Sequence, residues 1–137
     1  MSKLLRYPFR KTEGIFSFCF FLILISSQNL LAQPAMAWES TKVNFGFVKR
    51  GTILRQEFTV KNIGTEPLIL QKAELACSCT SVELTAAPVM PGQTAKITLI
   101  FNTTSVYGRQ DRIAEIITNV PGAPVRLRYK ATVSQKP

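Results

Sequence analysis

The sequence predicts an all-β protein: a single immunoglobulin-like antiparallel β-sandwich of about seven strands, following an N-terminal secretory leader. Three observations carry this. Apolar and polar residues alternate with period two over several stretches, the spacing that turns one strand face to a core and the other to water. Turn-forming residues recur between those stretches at short intervals. No stretch sustains the 3.6-residue period of an amphipathic helix.

The leader comes first. Lys3, Arg6, Arg10 and Lys11 precede Ile15–Ile25, an uncharged apolar run. Its length suits the hydrophobic region of a signal peptide and falls short of the roughly 20 apolar residues that cross a bilayer. Ser26, Ser27, Gln28 and Asn29 end the run, and Ala35-Met36-Ala37 supplies the small-x-small pattern of a signal peptidase site. Residues 1–37 are therefore expected to be a signal peptide cut before Trp38, with the domain spanning 38–137. The stretch from Ile25 to Ala37 is nevertheless long for the segment that precedes a cut. No Cys follows the run at lipobox distance, which argues against a lipoprotein; an uncleaved signal anchor is the alternative. Export would place the protein in the periplasm, at the cell surface or in the medium, with no stable membrane span after cleavage.

The strands follow. Val43–Phe47 is a short candidate in which Phe45 and Phe47 are expected on one side, with Gly46 allowing close approach of another backbone. In Leu54–Val60, Leu54, Phe58 and Val60 share a face, with Gln56 as the exception. Leu68–Leu75 and Ser81–Leu84 are further short candidates. Ala95, Ile97, Leu99 and Phe101 alternate with Lys96, Thr98 and Ile100. Ile113–Thr118 is another short run. The last stretch is the cleanest: Val125, Leu127, Tyr129, Ala131 and Val133 point one way, Arg126, Arg128, Lys130 and Thr132 the other. Between these lie Lys49-Arg50-Gly51, Asn62-Ile63-Gly64, Pro91-Gly92, Tyr107-Gly108 and Asn119-Val120-Pro121-Gly122, where Gly admits positive φ and Pro presets φ near −65°.

The order of certain residues resembles a known family. Val43-Asn44-Phe45-Gly46-Phe47-Val48 is followed by Phe58-Thr59-Val60-Lys61-Asn62-Ile63-Gly64 and Pro67-Leu68-Ile69-Leu70. Next come Cys77-Ser78-Cys79-Thr80, Pro91-Gly92-Gln93 and Ile97-Thr98-Leu99-Ile100-Phe101-Asn102. This resembles the bacterial domain-of-unknown-function 1573 family over nearly the whole of the chain after the leader. The resemblance implies an exported immunoglobulin-type sandwich, similar in style to the major-sperm-protein and pilus-chaperone domains, and it implies no activity. One departure is Ser78, where the family places Gly between the two Cys; a turn needing positive φ there would be strained.

Chemistry has one candidate place. Cys19 falls in the leader, which leaves Cys77 and Cys79 as an even pair in an oxidising compartment. Residues i and i+2 of a strand share a face with Cα atoms about 6.5 Å apart, the upper edge of disulfide geometry, so a bridge needs a local bend. Three readings stand: a strained or reversible disulfide, two packing thiols, or metal binding. Soft thiolates suit Cu(I) or Zn, but a closed tetrahedral site wants four ligands. Two more would have to come from Glu74, Glu83 or a second chain; linear Cu(I) between the two thiolates is the least demanding option.

Most enzyme classes are excluded. The chain has no His, so neither a Ser-His nor a Cys-His nucleophile can form within it. The carboxylates show no paired motif and the glycines are isolated in turns, with no phosphate loop. No cofactor is implied. The Asn102-Thr103-Thr104 sequon is incidental in a bacterial-looking chain.

The formal charge is +9, of which the first 37 residues hold four basic side chains and one acidic one, leaving +6 on the rest. That surplus is dispersed and suits loose attraction to an anionic surface; no nucleic-acid motif accompanies it. Arg126, Arg128 and Lys130 line one face of the last strand. They read either as a solvated face that also guards a sheet edge against aggregation or as a docking stripe for an acidic partner or glycan. The leading expectation is a non-catalytic envelope module that binds an envelope protein or anionic surface through a sheet edge or face. The alternative is a metal- or thiol-redox-handling protein using Cys77 and Cys79.

Overall fold

The computed structural model describes residues 32–122 and 124–136; the expected leader up to Leu31 lies outside the described residues. Eight strands form: β1 (Met36–Trp38), β2 (Lys42–Val48), β3 (Ile53–Asn62), β4 (Leu70–Leu75), β5 (Thr80–Glu83), β6 (Thr94–Asn102), β7 (Gly108–Thr118) and β8 (Val125–Val133). They make two four-stranded sheets, ordered β1-β3-β6-β5 and β2-β8-β7-β4. Among the described residues there is no helix.

The alternating stretches supply the core as expected. Phe58 and Val60 of β3, Ala95, Ile97, Leu99 and Phe101 of β6, and Leu127, Tyr129, Ala131 and Val133 of β8 are all buried. The long ladder of β3 with β6 runs from Ile53↔Asn102 to Lys61↔Thr94, so the inward residues of both strands stack in register. Facing them are Ala114 and Ile116 of β7 and Leu70 of β4.

Three features depart from the expected pattern. First, β2 pairs with β8 in parallel, whereas every other ladder is antiparallel. Only Glu39–Thr41 separates β1 in one sheet from β2 in the other. Second, the β2–β8 register slips between Asn44 and Phe47. Gly46, at φ +69°, is the extra residue of the bulge, and its N–H donates to Asn44 Oδ1 at 3.0 Å. Inserting one residue reverses the alternation, so Phe45 packs against the core while Phe47 is 91% exposed. The two rings do not share a side. Third, β7 begins at Gly108, well before the expected Ile113. Its inward positions there are Gln110 and Arg112, and Arg112 directs Nε and Nη2 to Gln110 Oε1 at 3.0 and 2.8 Å.

The turn at the end of β3 is tied down by Asn62, which is fully buried. Its Oδ1 accepts from the Gly64 N–H at 2.9 Å, and its Nδ2 donates to the carbonyls of Glu66 and Val89, both at 2.8 Å. Asn119 does similar work across the sheet: Oδ1 accepts from Ile69 N–H at 2.8 Å and Nδ2 donates to Pro67 O at 2.9 Å. Gly64 is not among the glycines with positive φ. Glycine is needed there because the segment Gln33–Ala35 crosses directly over it: a Cβ would overlap Ala35 N and Gln33 O. That segment continues into β1, which pairs with β3 through Met36↔Asn62, Ala37↔Lys61 and Trp38↔Val60. The compact unit thus starts at Ala32, on the leader side of Trp38.

Candidate functional site

Cys77 and Cys79 lie where the chain leaves β4 in one sheet and enters β5 in the other. They are joined by a disulfide with Cα atoms 5.2 Å apart, closer than flat strand geometry gives, so the bend that a bridge requires is present. No non-glycine residue among those described has positive φ; Ser78 therefore makes the bend without the strain expected of it. Cys79 is buried and Cys77 half-buried. The loop is pinned to its surroundings: Asn102 N–H donates to Cys79 O at 2.8 Å and Thr80 N–H to Cys77 O at 3.3 Å.

Directly after the pair, Thr80 enters the core. Its Oγ1 is 2.7 Å from the Tyr129 hydroxyl, and both residues are buried. The Tyr129 ring packs edge-on against Phe101, with centroids 5.3 Å apart and planes at 61°. Burial pushes the Tyr129 phenol above its ordinary pKa, against the opposing effects of the Thr80 hydrogen bond and the Arg112 charge. This buried hydroxyl pair could not be read from spacing, because it joins residues 49 apart.

Metal ligation finds little support in the donor set. No group of three or more His, Cys, Asp or Glu side chains gathers among the described residues. The sulfurs of a disulfide are also not thiolates, the form that binds metal.

The basic stripe has a different setting from the expected one. β8 lies inside its sheet, between β2 and β7, so Arg126, Arg128 and Lys130 do not guard an edge. They project from the outer face beside acidic residues of β7. Arg128 makes a bidentate pair with Asp111, both bonds at 2.7 Å; Lys130 reaches the same carboxylate at 3.5 Å, and Arg126 bonds Glu115 at 2.9 Å. The Arg128 hydrogen bond and charge hold the Asp111 carboxyl at about 2, well below its ordinary 3.8. Beside these pairs a shallow groove opens along the β2 edge, lined by Lys42, Val43, Asn44, Arg128 and Lys130. Phe47 stands further along the same outer face, next to Thr132. Sequence reasoning missed Phe47 as a surface group, although a Gly between two aromatics after an Asn was a signal for a bulge.

The comparisons with known proteins agree with this architecture. The sequence model of a family described as a protein of unknown function, DUF1573, matches residues 36–133. No curated protein matches the chain. A Porphyromonas gingivalis W83 protein of unknown function is similar at TM-score 0.66 and 20% identity, over 74% of this chain and 48% of that one. A PapD-like domain of human CEP192 is similar at TM-score 0.56 and 10% identity, over 77% of this chain and 89% of that domain. The Vibrio cholerae VesB protease is similar at TM-score 0.54 and 16% identity, over 85% of this chain and 35% of that one. At these identities the likeness is one of fold. The chain spans about half the length of the Porphyromonas protein and about a third of the protease.

Proposed function

The chain belongs to the DUF1573 family of proteins of unknown function, and on that premise we propose that it is a non-catalytic, exported module of the bacterial cell envelope. It binds an acidic partner along the outer face and edge of β2. One observation supports this above the others: β2 is an edge strand whose outer face carries the 91% exposed Phe47 and adjoins the groove of Lys42, Arg128 and Lys130. An edge strand offers backbone hydrogen bonds to an extended segment, an exposed aromatic offers an anchor, and cations give attraction and register. Asp111 is shared by Arg128 and Lys130, so two cations of this groove face a single carboxylate.

The test is charge reversal with Lys42→Glu and Lys130→Glu. Both side chains lie on the outer face, so circular dichroism and unfolding should be preserved while capture of the acidic envelope partner drops at least tenfold and loses its salt dependence. Equal capture by the variant and the wild type would remove this reading.

A thiol-redox role for Cys77 and Cys79 is the second reading, and the disulfide across a single residue favours it. Opening that bond to two thiols takes two electrons and two protons, which a dithiol donor in the envelope would supply. Free-thiol titration before and after exposure to such a donor decides it: a pair that stays oxidised at mild potentials is structural.

A further inference from the structure

We infer that the leader is removed after Ala32, so that the mature protein begins at Gln33 and keeps the whole Gln33–Ala37 segment. The inference rests on the export reading above and concerns where the processing site lies within it. The Ala35-Met36-Ala37 motif offers the stronger small-x-small match, but a cut after Ala37 would remove structure that the rest of the chain is built to receive.

The losses from that cut are specific. Ala35 O accepts from Ile63 N–H at 2.9 Å and Gln33 O accepts from Thr65 N–H at 3.2 Å. Met36 and Ala37 make two of the three residue pairs that β1 forms with β3, and Met36 packs against the core beside Trp38. A cut after Ala37 leaves β1 as Trp38 alone, bearing a new charged amino group against the edge of β3. It also strips cover from the turn held by buried Asn62.

Gly64 is the independent observation. Its φ is not positive, so its own backbone conformation does not call for glycine. What forbids a side chain is the backbone of residues 33–35: an added Cβ would overlap Ala35 N and Gln33 O and stand 2.9 Å from Pro34 C. Glycine at this position has a purpose only if those residues remain in the mature protein.

The sequence before Gln33 permits the cut. Ala32 supplies the small residue at the scissile bond, with aliphatic Leu30 two positions earlier. Ala32 lies seven residues past the end of the apolar run at Ile25 and Ala37 lies twelve past it, so the earlier site has the more ordinary spacing. The compact unit begins at Ala32.

The experiment expresses the full chain in a bacterium and reads the N-terminus of the envelope-fraction protein by intact mass and N-terminal sequencing. A chain starting at Gln33, with or without loss of ammonia from that glutamine, is expected. A start at Met36 or Trp38 overturns the inference and leaves export with cleavage standing, whereas a start at Met1 overturns cleavage altogether and favours the uncleaved signal anchor. Gly64→Ala in the same full chain gives a second measurement. If residues 33–35 remain, the melting temperature should fall by roughly 5 °C or more, because the added methyl must displace backbone in a domain of this size. An unchanged melting temperature would show that nothing covers Gly64 and would overturn the inference.

Discussion

Replacing Tyr129 by Phe removes one oxygen from the core and leaves the ring in place. The lost atom is the partner of Thr80 Oγ1 at 2.7 Å, and Thr80 is only 5% exposed, so water does not reach it to substitute. The nearest other polar atom that bonds it is Cys79 Sγ at 3.8 Å, a weak partner. Tyr129→Phe should therefore cost about 1–2 kcal/mol, combining a lost hydrogen bond with a stranded hydroxyl. Thr80→Val, which keeps the shape and strands the phenol instead, should cost a similar amount. The double variant strands nothing and should be no less stable than the worse single one, so the coupling between the sites should be about 1 kcal/mol or more. Urea unfolding of all four proteins measures this; with a slope near 1 kcal/mol/M for a chain of this size, each single variant shifts the midpoint by about 1–2 M. Losses that add within about 0.5 kcal/mol would refute the claim that these hydroxyls satisfy each other.

Other predictions follow from the same packing. Phe58→Ala and Phe101→Ala each empty a buried site and should cost about 3–5 kcal/mol by denaturant unfolding; a loss under about 1 kcal/mol at either position would mean that its face is not buried. Cys77→Ser/Cys79→Ser should leave the domain folded with a loss of about 1–2 kcal/mol, since so short a loop removes little entropy from the unfolded chain; an unfolded double variant would contradict this. Asp111 sits at about 2 when folded, against 3.8 ordinarily, chiefly through its hydrogen bond from Arg128. A depressed carboxyl stabilises the fold above its ordinary pKa and loses that contribution as pH falls through the folded value. Wild-type stability should thus drop more steeply between pH 4 and pH 2 than that of Asp111→Asn, and superimposable acid-unfolding profiles would sink the assignment.

Much of the fold was legible because β6 and β8 carry an apolar alternation throughout and β3 one broken only at Gln56, and burial alternated along all three from Leu54 to Val60, Ala95 to Phe101 and Val125 to Val133. What escaped has local causes. β1 is three residues long and overlaps, at Met36 and Ala37, a small-x-small motif that reads equally well as a processing signal. The first half of β7 has Gln110 and Arg112 at its inward positions, so apolar periodicity is absent although the pairing with β8 is continuous. The bulge at Gly46 inverted the face of Phe47, as any one-residue slip does. At the candidate site, the position of the Cys pair was readable from spacing. The neutralisation of Arg126 and Arg128 was not, because it depends on the β7–β8 register, which places Glu115 opposite Arg126 and Asp111 opposite Lys130.

The position of β8 has a consequence for when the molecule can fold. The last strand of the chain sits in the middle of its sheet and is the partner of both β2 and β7. Lys42 must wait for Arg128, and Val48 for Val133. A chain emerging from the ribosome therefore cannot complete the second sheet until Val125–Val133 is out, and closing so long a loop is intrinsically slow. A stop codon anywhere before Val125 would leave β2 without a neighbour to pair with, so truncated products should be rapidly degraded and should not accumulate as partial domains.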